Sequence, residues 1–142
     1  MPEGLMQHSP DKQKADNISS KDYCVVRDGI RYAGVHLIID LYGAKRLDDL
    51  PYIETVMLKC IKAARATLLN MHLHPFEPNG VSGVAVLAES HISVHTWPDD
   101  DFAAFDVFMC GDTAPELCAD ILQAAFQPER IEVTEQLRGK GL

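Results

Sequence analysis

Leu87-Ala88-Glu89-Ser90-His91-Ile92-Ser93-Val94-His95-Thr96-Trp97-Pro98 stands at the junction of two apolar, strand-like segments. From His91 to Trp97 the side chains alternate, with Ile92 and Val94 on one side and His91, Ser93, His95 and Trp97 on the other. One face is therefore fit for burial against a core. The other carries imidazoles, a hydroxyl and an indole. Between Glu89 and His95 the chain gathers a carboxylate, hydroxyls and two imidazoles, more polar chemistry than strand pairing needs.

The alternation continues on both sides. Phe102, Ala104, Asp106, Phe108 and Cys110 share one side of a segment over 102–109, and the link Pro98-Asp99-Asp100-Asp101 makes it a hairpin neighbour of 91–97. That brings a thiol, an imidazole and a carboxylate into one region. Upstream, 81–88 and 71–77 read as strands separated by Pro78-Asn79-Gly80. Ala33, Val35, Leu37, Ile39 and Leu41 form one face of an earlier strand that Gly43 ends. Leu50, Ile53, Met57, Cys60 or Ile61, Ala64 and Leu68 recur at helical spacing and predict a helix over 48–69. Asp48 and Asp49 sit at its positive end, and Pro51 is in its first turn. Thr113-Ala114-Pro115-Glu116 reads as a capping box for a second helix with Leu117, Cys118, Ile121, Leu122 and Ala125 on its apolar stripe, stopped by Pro128. Ile131, Val133 and Gln136-Leu137 suggest a last strand, and Tyr23 to Ile30 a short extra strand and turn.

The resulting order is β-α-β-β-β-β-α-β. Two helices with apolar stripes need one sheet face to cover, which predicts an α+β fold. Its form is a two-layer α/β sandwich, a mainly antiparallel sheet with two helices on one face. The opposite face keeps exposed residues, so pairing of two protomers is expected. Residues 1–30, polar and without periodicity over most of their length, read as a flexible N-terminal extension, and 31–142 as one domain.

With 46% hydrophobic and 24% charged residues, the 142-residue chain has the composition of a soluble globular protein. Its net charge of −8 and the lack of a basic stripe argue against general nucleic-acid binding. No apolar run approaches the ~20 residues of a membrane span, and Met1-Pro2-Glu3-Gly4 does not begin a signal peptide. Four cysteines without a CxxC pair read as reduced thiols of a cytoplasmic protein, Cys60 and Cys118 lying in the core.

Taken singly, Ser90, His95 and Cys110 would be a turn residue, a surface or core histidine, and a buried thiol. Taken together, Gly-Val-Ser-Gly-Val from Gly80, Ala88-Glu89-Ser90-His91, His95-Thr96-Trp97-Pro98 and Phe105-Asp106-Val107-Phe108-Met109-Cys110-Gly111 form one ordered pattern. That pattern resembles the prokaryotic S-adenosylmethionine decarboxylase proenzymes, which depend on a pyruvoyl group. The resemblance extends more loosely from Ala33 to Gln136.

The resemblance implies self-cleavage at Glu89-Ser90, giving a β chain of residues 1–89 and an α chain of 90–142. Ser90 becomes a covalent pyruvoyl group, which then binds the substrate amine as a Schiff base. His95 matches the proton acceptor in processing, and an imidazole suits that task near neutral pH. Cys110 matches the proton donor in catalysis. Phe76 matches an aromatic that stacks on the substrate's adenine, and Ser82 and Glu89 are further substrate contacts; no metal is implied. The expected activity is decarboxylation of S-adenosylmethionine for spermidine synthesis, by a cytoplasmic homo-oligomer of processed protomers, (αβ)2.

Other readings stand beside this one. The same chemistry could serve another amino acid, such as arginine or ornithine, although Phe76 favours a nucleoside. His72, His74, His91, His95 and Cys110 could instead hold a metal with Glu89 as a base, given the i, i+2 spacing of the first pair. A non-catalytic paralogue is a last reading, against which stands the presence of Ser90, His95 and Cys110 together.

Overall fold

The structure, a computed structural model, describes residues 25–142. A small hairpin, β1 (Val25–Arg27) and β2 (Ile30–Tyr32), precedes the long strand β3 (Gly34–Tyr42). Helix α1 (Leu50–Ala63) follows, then β4 (Leu68–Pro75), β5 (Val81–Leu87), β6 (Ser90–Trp97) and β7 (Phe102–Met109). Helix α2 (Glu116–Phe126) and β8 (Arg130–Arg138) complete the order expected from the sequence. The six long strands form one antiparallel sheet in the order β4-β5-β6-β7-β3-β8.

Strand alternation decides which face is covered. Leu37, Ile39 and Leu41 of β3, Ile92 and Val94 of β6, and Phe105 and Val107 of β7 are buried on the helix side. Ile53, Met57, Cys60 and Ile61 of α1 and Cys118, Leu122 and Phe126 of α2 close that layer. The apolar stripe of α2 is thus centred on i, i+4, i+8, and Leu117 is turned to solvent. Cys60 and Cys118 face each other in the core, each thiol near the other's carbonyl. The contact with Cys118 and burial push the Cys60 thiol far up, so it is chemically quiet.

Two boundaries differ from the sequence expectation. The first helix ends at Ala63, not near residue 69, because Arg65 adopts a left-handed conformation (φ 64°) that turns the chain into β4. Leu68 therefore belongs to the strand. At its start, Asp49 caps the helix by accepting the Tyr52 N–H at 3.1 Å. The capping box does not form: Pro115 occupies the N-cap of α2, and the Thr113 hydroxyl donates to the Cys110 carbonyl at 3.1 Å instead. Part of the expected N-terminal extension, from Val25 on, is paired as a hairpin and tied to β8 by Arg27 and Glu135 at 2.9 Å; residues 1–24 lie outside the described residues.

The face away from the helices carries Ile38, Val84, Val86 and Trp97, all exposed, together with His36, His91, His95 and Asp106.

Candidate active site

β5 and β6 are joined by the two-residue turn Ala88-Glu89, with Leu87 paired to Ser90. Thr67 anchors the turn by accepting the Ala88 N–H at 2.8 Å. Glu89 takes up a left-handed conformation, φ 67°, which costs a residue with a side chain roughly 1–2 kcal/mol. Ser90 is the first residue of β6, and its hydroxyl turns back toward the Ala88 carbonyl at 3.4 Å. The Cys110 thiol donates to the Glu89 carbonyl oxygen at 2.9 Å. That oxygen belongs to the peptide linking Glu89 to Ser90. The thiol also lies 3.9 Å from Glu89 Oε1.

Register brings these three together. His91 pairs with Phe108 across the β6–β7 ladder, so continuing each strand outward carries Glu89 toward Cys110. The start of β3 sets the space. A Cβ on Gly34 would lie 2.6 Å from the Met109 carbonyl and 3.1 Å from Cys110 Cβ, so only glycine fits without displacing the cysteine.

Ser82 and His95 form a second pair, directly opposed across β5 and β6 with Oγ and Nδ1 2.9 Å apart. His95 is five residues along an extended strand from Ser90, about 16 Å at ~3.3 Å per residue. An odd offset also places the two side chains on opposite faces. One protomer therefore does not bring His95 to Ser90, and the single cluster suggested by spacing resolves into two. Phe76, half-exposed, follows β4 at the Ser82 end of the sheet and meets His74 edge-on, ring centroids 4.8 Å apart. Its loop is pinned where Asp48 accepts the Gly80 N–H at 2.7 Å and Asp99 accepts from Asn79 at 3.0 Å. A nearby depression of about 480 Å³, lined by Lys45, Arg46, Asp48, Asp101 and Glu129 among others, contains none of the candidate residues.

A third cluster was not singled out from sequence. Asp106 accepts from the Ser93 hydroxyl, from His36 Nε2 at 2.6 Å and from His91 Nε2 at 3.2 Å. Partial burial raises this carboxyl, but the three hydrogen bonds outweigh it and hold Asp106 below the usual carboxylate value. His36, His91 and Asp106 are the one trio among the described residues whose ligand-type atoms lie within 4.8 Å of one another. Arg138 donates to His36 Nδ1 at 2.9 Å, and arginine cannot accept. The His36 proton is therefore on Nε2, facing Asp106, where a metal would have to sit. The other metal set drawn from sequence is dispersed, with His72 and His74 on edge strand β4, His91 and His95 on β6, and Cys110 at the turn.

A profile described as S-adenosylmethionine decarboxylase matches residues 35–139. The chain belongs to the S-adenosylmethionine decarboxylase family. The S-adenosylmethionine decarboxylase proenzyme of Thermomicrobium roseum is 44% identical over 108 residues, covering 75% of this chain and 93% of that protein. The proenzyme of Methanococcus maripaludis strain C7 is 45% identical over 113 residues, covering 78% and 93%. Among solved structures, the adenosylmethionine decarboxylase from Aquifex aeolicus matches with a TM-score of 0.69 at 36% identity, over 75% of this chain and 90% of that one. A Trypanosoma brucei AdoMetDC monomer shares the fold at 19% identity, TM-score 0.51, with this chain spanning 44% of its length. The α+β sandwich expected from sequence is thus the fold of a family member. No helix among the described residues is long and apolar enough to cross a membrane.

Proposed function

We propose that this chain is an S-adenosylmethionine decarboxylase proenzyme that cleaves itself between Glu89 and Ser90 and then releases CO2 from S-adenosylmethionine. The observation that carries the reading is the Cys110 thiol on the Glu89 carbonyl, with the Ser90 hydroxyl attached to the next residue. Hydrogen bonding polarises the carbonyl and receives the charge that develops when an oxygen adds to it. The Ser90 oxygen adds to the Glu89 carbonyl carbon, and the Ser90 nitrogen leaves with a proton, so the amide becomes an ester. Loss of the Ser90 Cα proton expels the Glu89 carboxylate and leaves dehydroalanine. Water then replaces its nitrogen, which departs as ammonia.

The pyruvoyl group so formed supplies a carbonyl that takes up the electrons left when the substrate's carboxylate departs. The residues of this chain fit it: Cys110 already lies against the carbonyl of the Glu89–Ser90 peptide, whose cleavage would free it. An ordinary thiol keeps its proton at neutral pH and can pass it to the substrate carbon. Phe76 offers an aromatic face for a nucleoside and for a sulfonium cation.

His95, Ser82 and Phe76 lie at the far end of the sheet from Ser90, so the reading assigns them to the site of a second copy. A twofold axis pairs identical surfaces, and the Glu89–Ser90 turn, at the end of the sheet where it can be reached from either face, then receives the partner subunit's His95 as proton acceptor. The exposed apolar residues Ile38, Val84, Val86 and Trp97 on that face support such pairing.

The test is intact mass together with CO2 release. The expected result is two fragments divided after Glu89, the second lighter by one ammonia and blocked to Edman sequencing, with CO2 released from S-adenosylmethionine. An active chain that stays whole, or release from arginine in place of S-adenosylmethionine, would overturn the reading.

A further inference from the structure

The Asp106 cluster takes no proton and forms no bond in the reaction proposed above, yet it binds three neighbouring strands at one point. Asp106 is opposite Ser93 on β6 and Ile38 on β3. His36 and His91 both pair in register with Phe108, from opposite sides. Their rings flank the Phe108 ring, with centroids 5.4 and 5.9 Å from it. Both imidazoles lean back two residues to the Asp106 carboxylate, at 2.6 and 3.2 Å. Arg138 completes the grip from β8 by fixing which nitrogen of His36 carries the proton. His91 adjoins Ser90, and Phe108 stands two residues before Cys110. Both arms of the reactive contact therefore emerge from this one clamp.

We propose that Asp106 is a positioning residue for self-cleavage. By holding His36 and His91 on either side of Phe108, it fixes the last paired rung of β6 and β7. That rung sets the approach of the Cys110 thiol to the Glu89 carbonyl. The inference rests on Ser90 being the cleaved residue. Geometry of this kind is steeply rewarded, since a misplacement of about 1 Å can slow a reaction by about 100-fold.

The test is the first-order rate at which freshly translated full-length chain converts to two fragments, followed by mass, with the thermal midpoint of each variant recorded. Asp106→Asn removes the charge and replaces one of the two acceptor oxygens with an N–H donor, so the two imidazoles and Ser93 can no longer all donate to it. Cleavage should slow by about 100-fold. His36→Gln keeps a donor near the Nε2 position and should retain a rate within about threefold of wild type, whereas His36→Leu should be slow. The slowly accumulated, processed Asp106→Asn enzyme should show an unchanged KM for S-adenosylmethionine, because Asp106 bonds to His36, His91 and Ser93 and to none of Phe76, Ser82 and Glu89, the residues assigned to the substrate. Should Asp106→Asn not fold, Arg138→Met, on the exposed edge strand, is expected to slow cleavage through the same contact.

Wild-type cleavage rates in Asp106→Asn would overturn the inference. So would equal slowing by His36→Gln and His36→Leu, or a defect that disappears once variants are compared at equal distance below their thermal midpoints. Wild-type chain that never cleaves would overturn the reading of Ser90 instead.

Discussion

Mixing two inactive variants gives the sharpest test of where the proton acceptor comes from. Within one chain, His95 is about 16 Å from Ser90 along β6, whereas a working base needs about 3 Å or a single bridging water. Ser90→Ala alone cannot cleave. His95→Ala alone should cleave about 100- to 10,000-fold more slowly, the usual contribution of a general base. In a mixed dimer the His95→Ala chain keeps its own Ser90 and meets the intact His95 of its Ser90→Ala partner. Random pairing of equal amounts makes about half the dimers mixed, so about half of the His95→Ala chains should cleave at near wild-type rate. Each chain need cleave only once, so the rate must be followed and not only the endpoint. Co-expression with tags of different mass, followed by intact-mass analysis over time, reads this directly. His95→Ala chains that cleave no faster in the mixture than alone would refute the trans arrangement, provided mixed dimers are present. Fast cleavage by His95→Ala alone would remove His95 from processing altogether.

Three further outcomes can be measured. Phe126 is fully buried and packs on Phe105 and Tyr52, so Phe126→Ala should lose about 3–5 kcal/mol of stability in urea unfolding. Asp106 is held below the usual carboxylate value, so its contribution to stability is present above pH ~4, the unfolded-state value, and is lost as pH falls through the lower folded value. Asp106→Asn should therefore flatten the acid limb of a stability–pH curve, and an unchanged limb would contradict this. Phe76→Ala should raise KM for S-adenosylmethionine about two- to tenfold while leaving cleavage intact, as the loss of one stacking contact of about 0.5–1.5 kcal/mol implies.

Much of the fold was legible because the period of two is explicit in β3, β6 and β7, whose buried residues alternate without interruption from Val35 to Leu41, at Ile92 and Val94, and from Ala103 to Met109. The end of α1 was not, since Leu68 continued the helical spacing by coincidence and only the left-handed turn at Arg65 separates the two elements. The apparent capping box misled because Thr113 had a nearer acceptor in the Cys110 loop. At the site, the sequence marked Glu89, Ser90 and Cys110 as chemistry, and register joins them. Parity already placed Ser90 and His95 on opposite faces, so the separation of the two clusters was latent in the alternation. The Asp106 cluster was harder to see. It draws His36 from β3 and Arg138 from β8, strands separated from β7 in sequence and adjacent only through the sheet order. The signal available was a histidine and a carboxylate on the same exposed face.

Strain at the scissile peptide is a tempting explanation for its reactivity, and magnitudes decide against it as the main cause. The left-handed conformation of Glu89 stores roughly 1–2 kcal/mol, and releasing all of it in the transition state would accelerate cleavage by about 5- to 30-fold. Holding two reacting groups in line is worth about 7–11 kcal/mol, so positioning by the turn, Gly34 and the β6–β7 register carries far more. Two substitutions separate the contributions. Glu89→Gln keeps the conformational strain and removes the charge beside Cys110, whereas Glu89→Gly removes both. The ratio of their cleavage rates isolates strain and should not exceed about 30-fold. A Glu89→Gly chain more than a thousandfold slower than Glu89→Gln, with unchanged thermal stability, would show that the bent peptide itself drives the reaction and that alignment is secondary.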